Sequence, residues 1–189
     1  IAFNTSLLLL LEKKWKMGWK LYEKRLEFWP GMPTLSKEIP LWKGENLSGL
    51  RLLVTHEQGF GNTLQFCRFL RFLQKLNPKE VVFLCQKPLT HFLSNNQHFL
   101  QCKVVHEEPA LDNIDFQVSL MSLPSKIWEL NAFKKPPYQH PYLQPSLKAI
   151  KGINFSNKCP KIGLLWSGRK DRGGKNSLPI NLLLNKLEG

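Results

Sequence analysis

Large apolar side chains recur from Leu11 as Trp15, Trp19, Tyr22, Leu26 and Trp29, and steps of three or four residues put them on one face of an N-terminal helix. An unbroken aromatic stripe has to pack on something, and core packing is its expected use. The five-leucine run Leu7 to Leu11 reads as the inner face of the same helix. Gly18 weakens that helix intrinsically, so its expected use is to let a neighbouring helix approach. After Pro30-Gly31-Met32-Pro33 the periodicity lapses into an irregular stretch to Gly49 with Trp42 and Gly44, expected to be a linker wrapped on the next domain. The pattern then predicts a strand over 50–56, a helix over 63–76, a break at Asn77-Pro78, a strand over 81–85, a short helix over 88–94, and strands over 102–106 and 115–120. Strands separated by helices predict an α/β fold with a parallel sheet and helices on its faces. In such sheets ligands bind beyond the carboxyl ends of the strands.

One such end carries candidate chemistry. The apolar strand Leu52 to Thr55 runs into Gly59 and Gly61, followed by a helix whose Leu64, Cys67, Leu70, Phe72 and Leu73 oppose Gln65, Arg68, Arg71, Gln74 and Lys75. Glycines there permit positive φ and close approach of another molecule, or serve the turn alone. A dinucleotide fingerprint needs a third glycine and a carboxylate after the next strand. Here Leu64 stands at the third position, and the strand Val81 to Cys85 ends in Gln86 and Lys87. No Lys-Ser/Thr pair follows the glycines, which excludes a P-loop.

A second junction follows the predicted strand Ile162 to Trp166. Ser167-Gly168 opens a loop, the run Arg169-Lys170-Asp171-Arg172-Gly173-Gly174-Lys175 follows, and Ser177-Leu178-Pro179 carries a helix start with a serine cap and first-turn proline. A hydroxyl, several cations and a helix start after a strand describe a phosphate site. An exposed loop is the other reading.

Composition bounds the alternatives. The 189 residues are 42% hydrophobic, enough for a core, and begin at Ile1, so a fragment of a longer protein is expected. The net charge of +13 lies mainly on the N-terminal helix (Lys13, Lys14, Lys16, Lys20, Lys24, Arg25), on the helix after the glycines and in the Arg169–Lys175 run. Basic charge suggests nucleic acid or an anionic membrane, but the aromatic-studded strands of single-strand RNA binders are missing, so nucleic acid is not the expected partner. Glu12-Lys13-Lys14 ends the leucine run far short of the roughly 20 apolar residues needed to span a bilayer. The four cysteines (Cys67, Cys85, Cys102, Cys159) lack paired spacing, and buried reduced thiols in a cytoplasmic protein are expected.

The order of Gly18-Trp19-Lys20-Leu21-Tyr22-Glu23-Lys24-Arg25, Leu41-Trp42-Lys43-Gly44, His56-Glu57-Gln58-Gly59-Phe60-Gly61-Asn62-Thr63-Leu64-Gln65-Phe66, Ser122-Leu123-Pro124 and Ile162-Gly163-Leu164-Leu165-Trp166-Ser167-Gly168 resembles the bacterial tetratricopeptide-repeat glycosyltransferases. These join helical repeats to a two-domain transferase similar to the lipopolysaccharide heptosyltransferases and, more distantly, to O-linked N-acetylglucosamine transferase. The resemblance implies that 1–29 end a repeat array, 30–48 are a linker, 49–159 are a Rossmann-like acceptor domain, and 160–189 begin a donor-binding domain. It implies a nucleotide-sugar substrate, a protein or glycan acceptor, and a protein partner recruited by the repeats.

One position departs from that pattern. The family's glycine turn usually continues into aspartate, proposed in the heptosyltransferases as the base that deprotonates the acceptor; this chain has Asn62. An amide cannot take a proton, so either His56 or Glu57 substitutes, or positioning and charge stabilisation carry the reaction, or the chain binds without transferring. His56 is the better substitute, because its unperturbed pKa lies near neutrality. The expected site is therefore His56, Glu57 and Asn62 for catalysis, Gln58, Gly59 and Gly61 against the acceptor, and Ser167, Gly168, Arg169 and Lys175 on the donor phosphates. Arg68 is expected to make a structural or supporting contact. With no His, Cys, Asp or Glu cluster at ligand spacing, the implied chemistry uses no metal and no cofactor beyond the nucleotide sugar.

Overall fold

A computed structural model describes residues 1–27, 38–110, 113–130, 141–145 and 179–181. The chain divides into two units, Ile1–Leu147 and Lys148–Gly189; of the second only 179–181 are described.

Four strands, β1 (Arg51–Thr55), β2 (Glu80–Leu84), β3 (Lys103–Val105) and β4 (Phe116–Ser119), form one sheet in the order β3-β2-β1-β4. All three pairings are parallel, with Val54 beside Phe83 and Val118. The sheet with its flanking helices is the predicted α/β, Rossmann-like arrangement, and the strand order reverses between β1 and β4 while every strand runs the same way. Strand composition follows from burial: Leu52, Leu53 and Val54 are all inside, as in parallel strands covered on both faces. One face bears Leu52, Val54, Val81, Phe83, Val104 and Val118 and belongs to the main core; Leu53 and Val82 on the other pack with Ile39.

The predicted helix over 63–76 starts earlier, as α3 (Phe60–Phe66), and tightens to 3₁₀ geometry over Cys67–Leu76. Asn77 ends it in the left-handed conformation (φ 52°), the short polar residue tolerated there. α4 (Lys87–Ser94) and α6 (Leu123–Glu129) each carry proline in the first turn; α6 and the four-residue α5 (Gln97–Leu100) were not expected.

The N-terminal segment is a hairpin, not one helix. α1 (Ala2–Leu11) and α2 (Trp15–Tyr22) are joined by a tight turn in which Lys13 takes φ 61°, and a 3₁₀ turn continues over Glu23–Glu27. Gly18 does what its position suggested: a Cβ there would lie 2.7 Å from Leu10 Cδ2 and 3.2 Å from the Leu10 backbone nitrogen. Trp19 and Tyr22 join Phe66 and Phe69 in a ring cluster, Tyr22 stacked on Phe66 and Trp19 edge-on to Tyr22, Phe66 and Phe69. Trp15 of the stripe and Leu10 of the leucine run also pack against this core, whereas Leu7, Leu8, Leu11 and Leu26 are exposed; the turn at Lys13 separates α1 from the stripe, and Trp29 lies outside the described residues. No helix among the described residues is long and apolar enough to cross a membrane.

The stretch expected to wrap on the next domain does so over 38–49. Trp42 and Leu47 are core residues, the Trp42 N–H donates to the Gln117 carbonyl (2.8 Å), and Gln117 N–H donates to Pro40 (3.0 Å) along the β4 edge.

Cys67, Cys85 and Cys102 are free and buried. Burial pushes the Cys67 and Cys102 thiols up to about 12 and raises Cys85. A raised thiol pKa leaves these groups neutral at about pH 8, where an unperturbed cysteine is partly thiolate. An aromatic disulfide reagent is therefore expected to label all three only as fast as the protein unfolds, followed peptide by peptide in mass spectrometry. Prompt labelling of Cys67 or Cys102 in native protein contradicts this burial.

Candidate functional site

Past the end of β1 consecutive residues bond to different neighbouring strands. The partly buried His56 turns to β2: its backbone N–H donates to the Leu84 carbonyl (2.9 Å), and ring Nδ1 lies 3.3 Å from the same oxygen. Glu57, wholly buried, turns to β4, where Ser119 Oγ donates to its Oε2.

Arg25, in the 3₁₀ turn Glu23–Glu27 that follows α2, completes the Glu57 site. Its Nε and Nη2 donate to Glu57 Oε1 (2.9 Å) and Oε2 (2.8 Å), Nη1 to Glu23 Oε1 (2.7 Å) and the Tyr22 carbonyl (3.2 Å), and Nη2 also to Ser122 Oγ (2.8 Å). All five guanidinium donors are thus used, with the guanidinium 4.9 Å from the Tyr22 ring centroid. Burial disfavours the Arg25 charge, but the hydrogen bonds to Glu57 and the Glu23 charge outweigh it and raise its pKa above the ordinary arginine value. Burial likewise pushes Tyr22 up to about 12.

Two expectations are corrected here. Glu57 was a candidate base, yet it has no exposed surface and both its oxygens accept from protein donors, Arg25 and Ser119, the arrangement of a structural anchor. Arg25, counted with the basic face of the N-terminal helix, is 2% exposed. The signal for it was legible: Arg25 follows Tyr22 by three residues, on the side of the stripe that packs inward. Ser119 and Ser122 had no such signal.

The turn itself is built differently from the simplest glycine reading. Positive φ falls on Gln58 (62°), whereas Gly59 is extended (φ −87°, ψ 171°) and caps α3, and Gly61 is helical. A Cβ at either glycine would meet no atom of the described residues within 4 Å, so among them neither backbone conformation nor packing calls for glycine. Asn62 Nδ2 donates to Gln58 Oε1 (2.8 Å). Gln86, which stands where a dinucleotide binder needs a carboxylate, clamps the turn: its Nε2 donates to the Gln58 carbonyl (3.2 Å) and its Oε1 accepts from Thr63 Oγ1 (2.9 Å).

Asn62 also lies at a groove of about 390 Å³ between the hairpin and α3, lined by Leu10, Trp15, Trp19, Gln65 and Arg68 among others. Arg68 makes the supporting contacts expected of it, donating Nε to the Gln65 carbonyl (2.8 Å) with its guanidinium 4.3 Å from the Tyr142 ring centroid. The structure thus brings His56, Glu57, Gln58, Gly59, Gly61 and Asn62 together at one strand end. Ser167, Gly168, Arg169 and Lys175 lie outside the described residues, as do Cys159 and the strand predicted at 162–166. Among the described residues no group of three or more His, Cys, Asp or Glu is placed to hold a metal ion.

No protein-family model matches the chain, and no solved structure matches it significantly. Among curated proteins it is similar to Protein FlbA of Caulobacter vibrioides, 25% identical over 193 aligned residues that take in 90% of this chain and 32% of that protein. The chain spans about a third of the length of that relative.

Proposed function

We propose that this chain is part of a cytoplasmic glycosyltransferase that moves a sugar from a nucleotide-activated donor to a protein or glycan acceptor without a metal ion. The observation that carries the reading is the space that the described residues leave open over Gly59 and Gly61, at the carboxyl end of a parallel strand inside the sheet, where such sheets take ligands. Glycines that the fold itself does not require leave room for another molecule's approach. The order of motifs shared with tetratricopeptide-repeat glycosyltransferases supports the same reading. On it, Gln58, Gly59, Gly61 and Asn62 face the acceptor. His56 takes the acceptor proton: with Nδ1–H donating to the Leu84 carbonyl, Nε2 keeps the lone pair. Ser167, Gly168, Arg169 and Lys175 hold the donor diphosphate through hydrogen bonds and positive charge.

Gly61→Leu tests this directly. A Cβ at position 61 meets no atom of the described residues within 4 Å, and replacing a helical glycine is worth up to about 1 kcal/mol of stability. The variant is therefore expected to melt at or above the parent's temperature while losing about 100-fold in nucleoside diphosphate release from uridine and guanosine diphosphate sugars, because the acceptor is displaced. Unchanged release removes the turn from the reaction.

A second reading is favoured by Asn62: a decayed transferase scaffold that binds a protein partner through its helical segment. Its discriminator is the Asn62→Asp variant treated in the Discussion.

A further inference from the structure

We propose that Arg25 is a positioning residue for the glycine turn, so that the helical hairpin is a working part of the site and not only a neighbouring module. The residue that immediately precedes the turn, Glu57, has no exposed surface. Two of its partners come from Arg25, 32 positions earlier in the chain, and a third from Ser119 at the end of β4. Arg25 in turn reaches Ser122, so one guanidinium ties the segment after α2 to the ends of both β1 and β4. Gln58, with φ 62°, follows directly and accepts from Asn62. A non-glycine residue held in the left-handed region costs free energy locally, and persists where its surroundings dictate it. Glu57, clamped bidentately on one side, and Gln86, clamping the Gln58 carbonyl on the other, are those surroundings.

Core packing accounts for the hairpin's attachment without this pair. Trp19 and Tyr22 already seat it on Phe66 and Phe69, so the bidentate pair has a separable task. A buried ion pair adds little net stability over apolar residues of similar size, whereas removing one partner is strongly destabilising. The pair should therefore be replaceable as far as folding is concerned and irreplaceable for the geometry of residues 58–62.

The catalytic consequence rests on the transferase reading; the structural one does not, and hydrogen exchange measures it without any substrate. Arg25→Met alone strands the Glu57 charge and is expected to lower the melting temperature by about 10 °C. In Arg25→Met/Glu57→Met the melting temperature returns to within a few degrees of the parent, amides of Val82 and Phe83 keep their protection, and amides of Gly59 to Thr63 exchange about tenfold faster or more. Turn amides that exchange at the parent rate in the folded double variant overturn the proposal. So does a double variant that does not fold or loses protection everywhere, because the pair then holds the whole fold and not the turn. Arg25→Lys keeps the charge without the planar fork and is expected to lie between parent and double variant at the turn. Where transfer is measurable, the double variant loses kcat at little change in the donor KM.

Discussion

In the full-length protein, Asn62→Asp is expected to raise nucleoside diphosphate release from nucleotide sugars by about 10²- to 10⁴-fold, the usual worth of a general base, if the site is a decayed one, and to leave the rate unaltered if His56 is the base. The carboxamide of Asn62 donates to Gln58 Oε1 at 2.8 Å and can take no proton. A carboxylate in its place would sit in the first turn of α3, which starts after Gly59, where negative charge is favoured by about 0.3–1 kcal/mol. The exchange costs one donor to Gln58, and rotation of the Gln58 amide restores a hydrogen bond with the direction reversed. The fold should therefore tolerate the change, and thermal melting of parent and variant provides the control. Release by the variant alone identifies a decayed transferase. An active parent with an unaltered rate in the variant places the base at His56, which His56→Gln would then silence. Inactivity of both full-length proteins across uridine and guanosine diphosphate sugars, with acceptor saccharides present, ends the transferase reading.

Trp42→Ala is expected to cost about 3–5 kcal/mol, the range for emptying a large aromatic site in a core. Trp42 is 2% exposed, packs in the main cluster, and donates its indole N–H to the Glu45 carbonyl at 2.9 Å. Its own segment cannot close over the cavity easily, because the neighbouring backbone is held to Gln117 by hydrogen bonds in both directions. Against a typical total of about 5–15 kcal/mol this is a large share, and the melting temperature should fall by about 10 °C or more. Leu41→Ala in the same segment is the comparison: Leu41 is 52% exposed, and exposed substitutions usually stay within about 0.5 kcal/mol. Equal effects from the two substitutions contradict the account of 38–49 as a segment folded into the domain through Trp42.

The strands were legible to within one or two residues because a parallel strand covered on both faces needs a nearly unbroken apolar run, and Leu52-Leu53-Val54 and Val81-Val82-Phe83 are such runs. Asn77-Pro78 was legible as a break for a similarly local reason, a left-handed cap followed by a residue that cannot continue a helix. The hairpin was not. Residues with the spacing of one long stripe were split by a turn at Lys13, a residue with no particular preference for positive φ, and the leucines of α1 lost the face that periodicity assigned them. The role of Glu57 was equally hidden. An acidic residue after a strand next to glycines has the sequence appearance of catalysis, and only the arrival of Arg25 from 32 positions away makes it an anchor.

What the chain's order of residues determined alone is the class of architecture and the place where chemistry should be sought: periodicity and local backbone preference act over a few residues, and both can be read without neighbours. What the tertiary structure decided is which polar groups at that place remain available. Burial and hydrogen bonding between distant segments enclosed Glu57, turned Gln86 into a clamp, took Arg25 out of the basic surface, set the His56 ring against the Leu84 carbonyl and joined Asn62 to Gln58. Desolvation and partner geometry depend on what the fold brings together, so no local pattern encodes them.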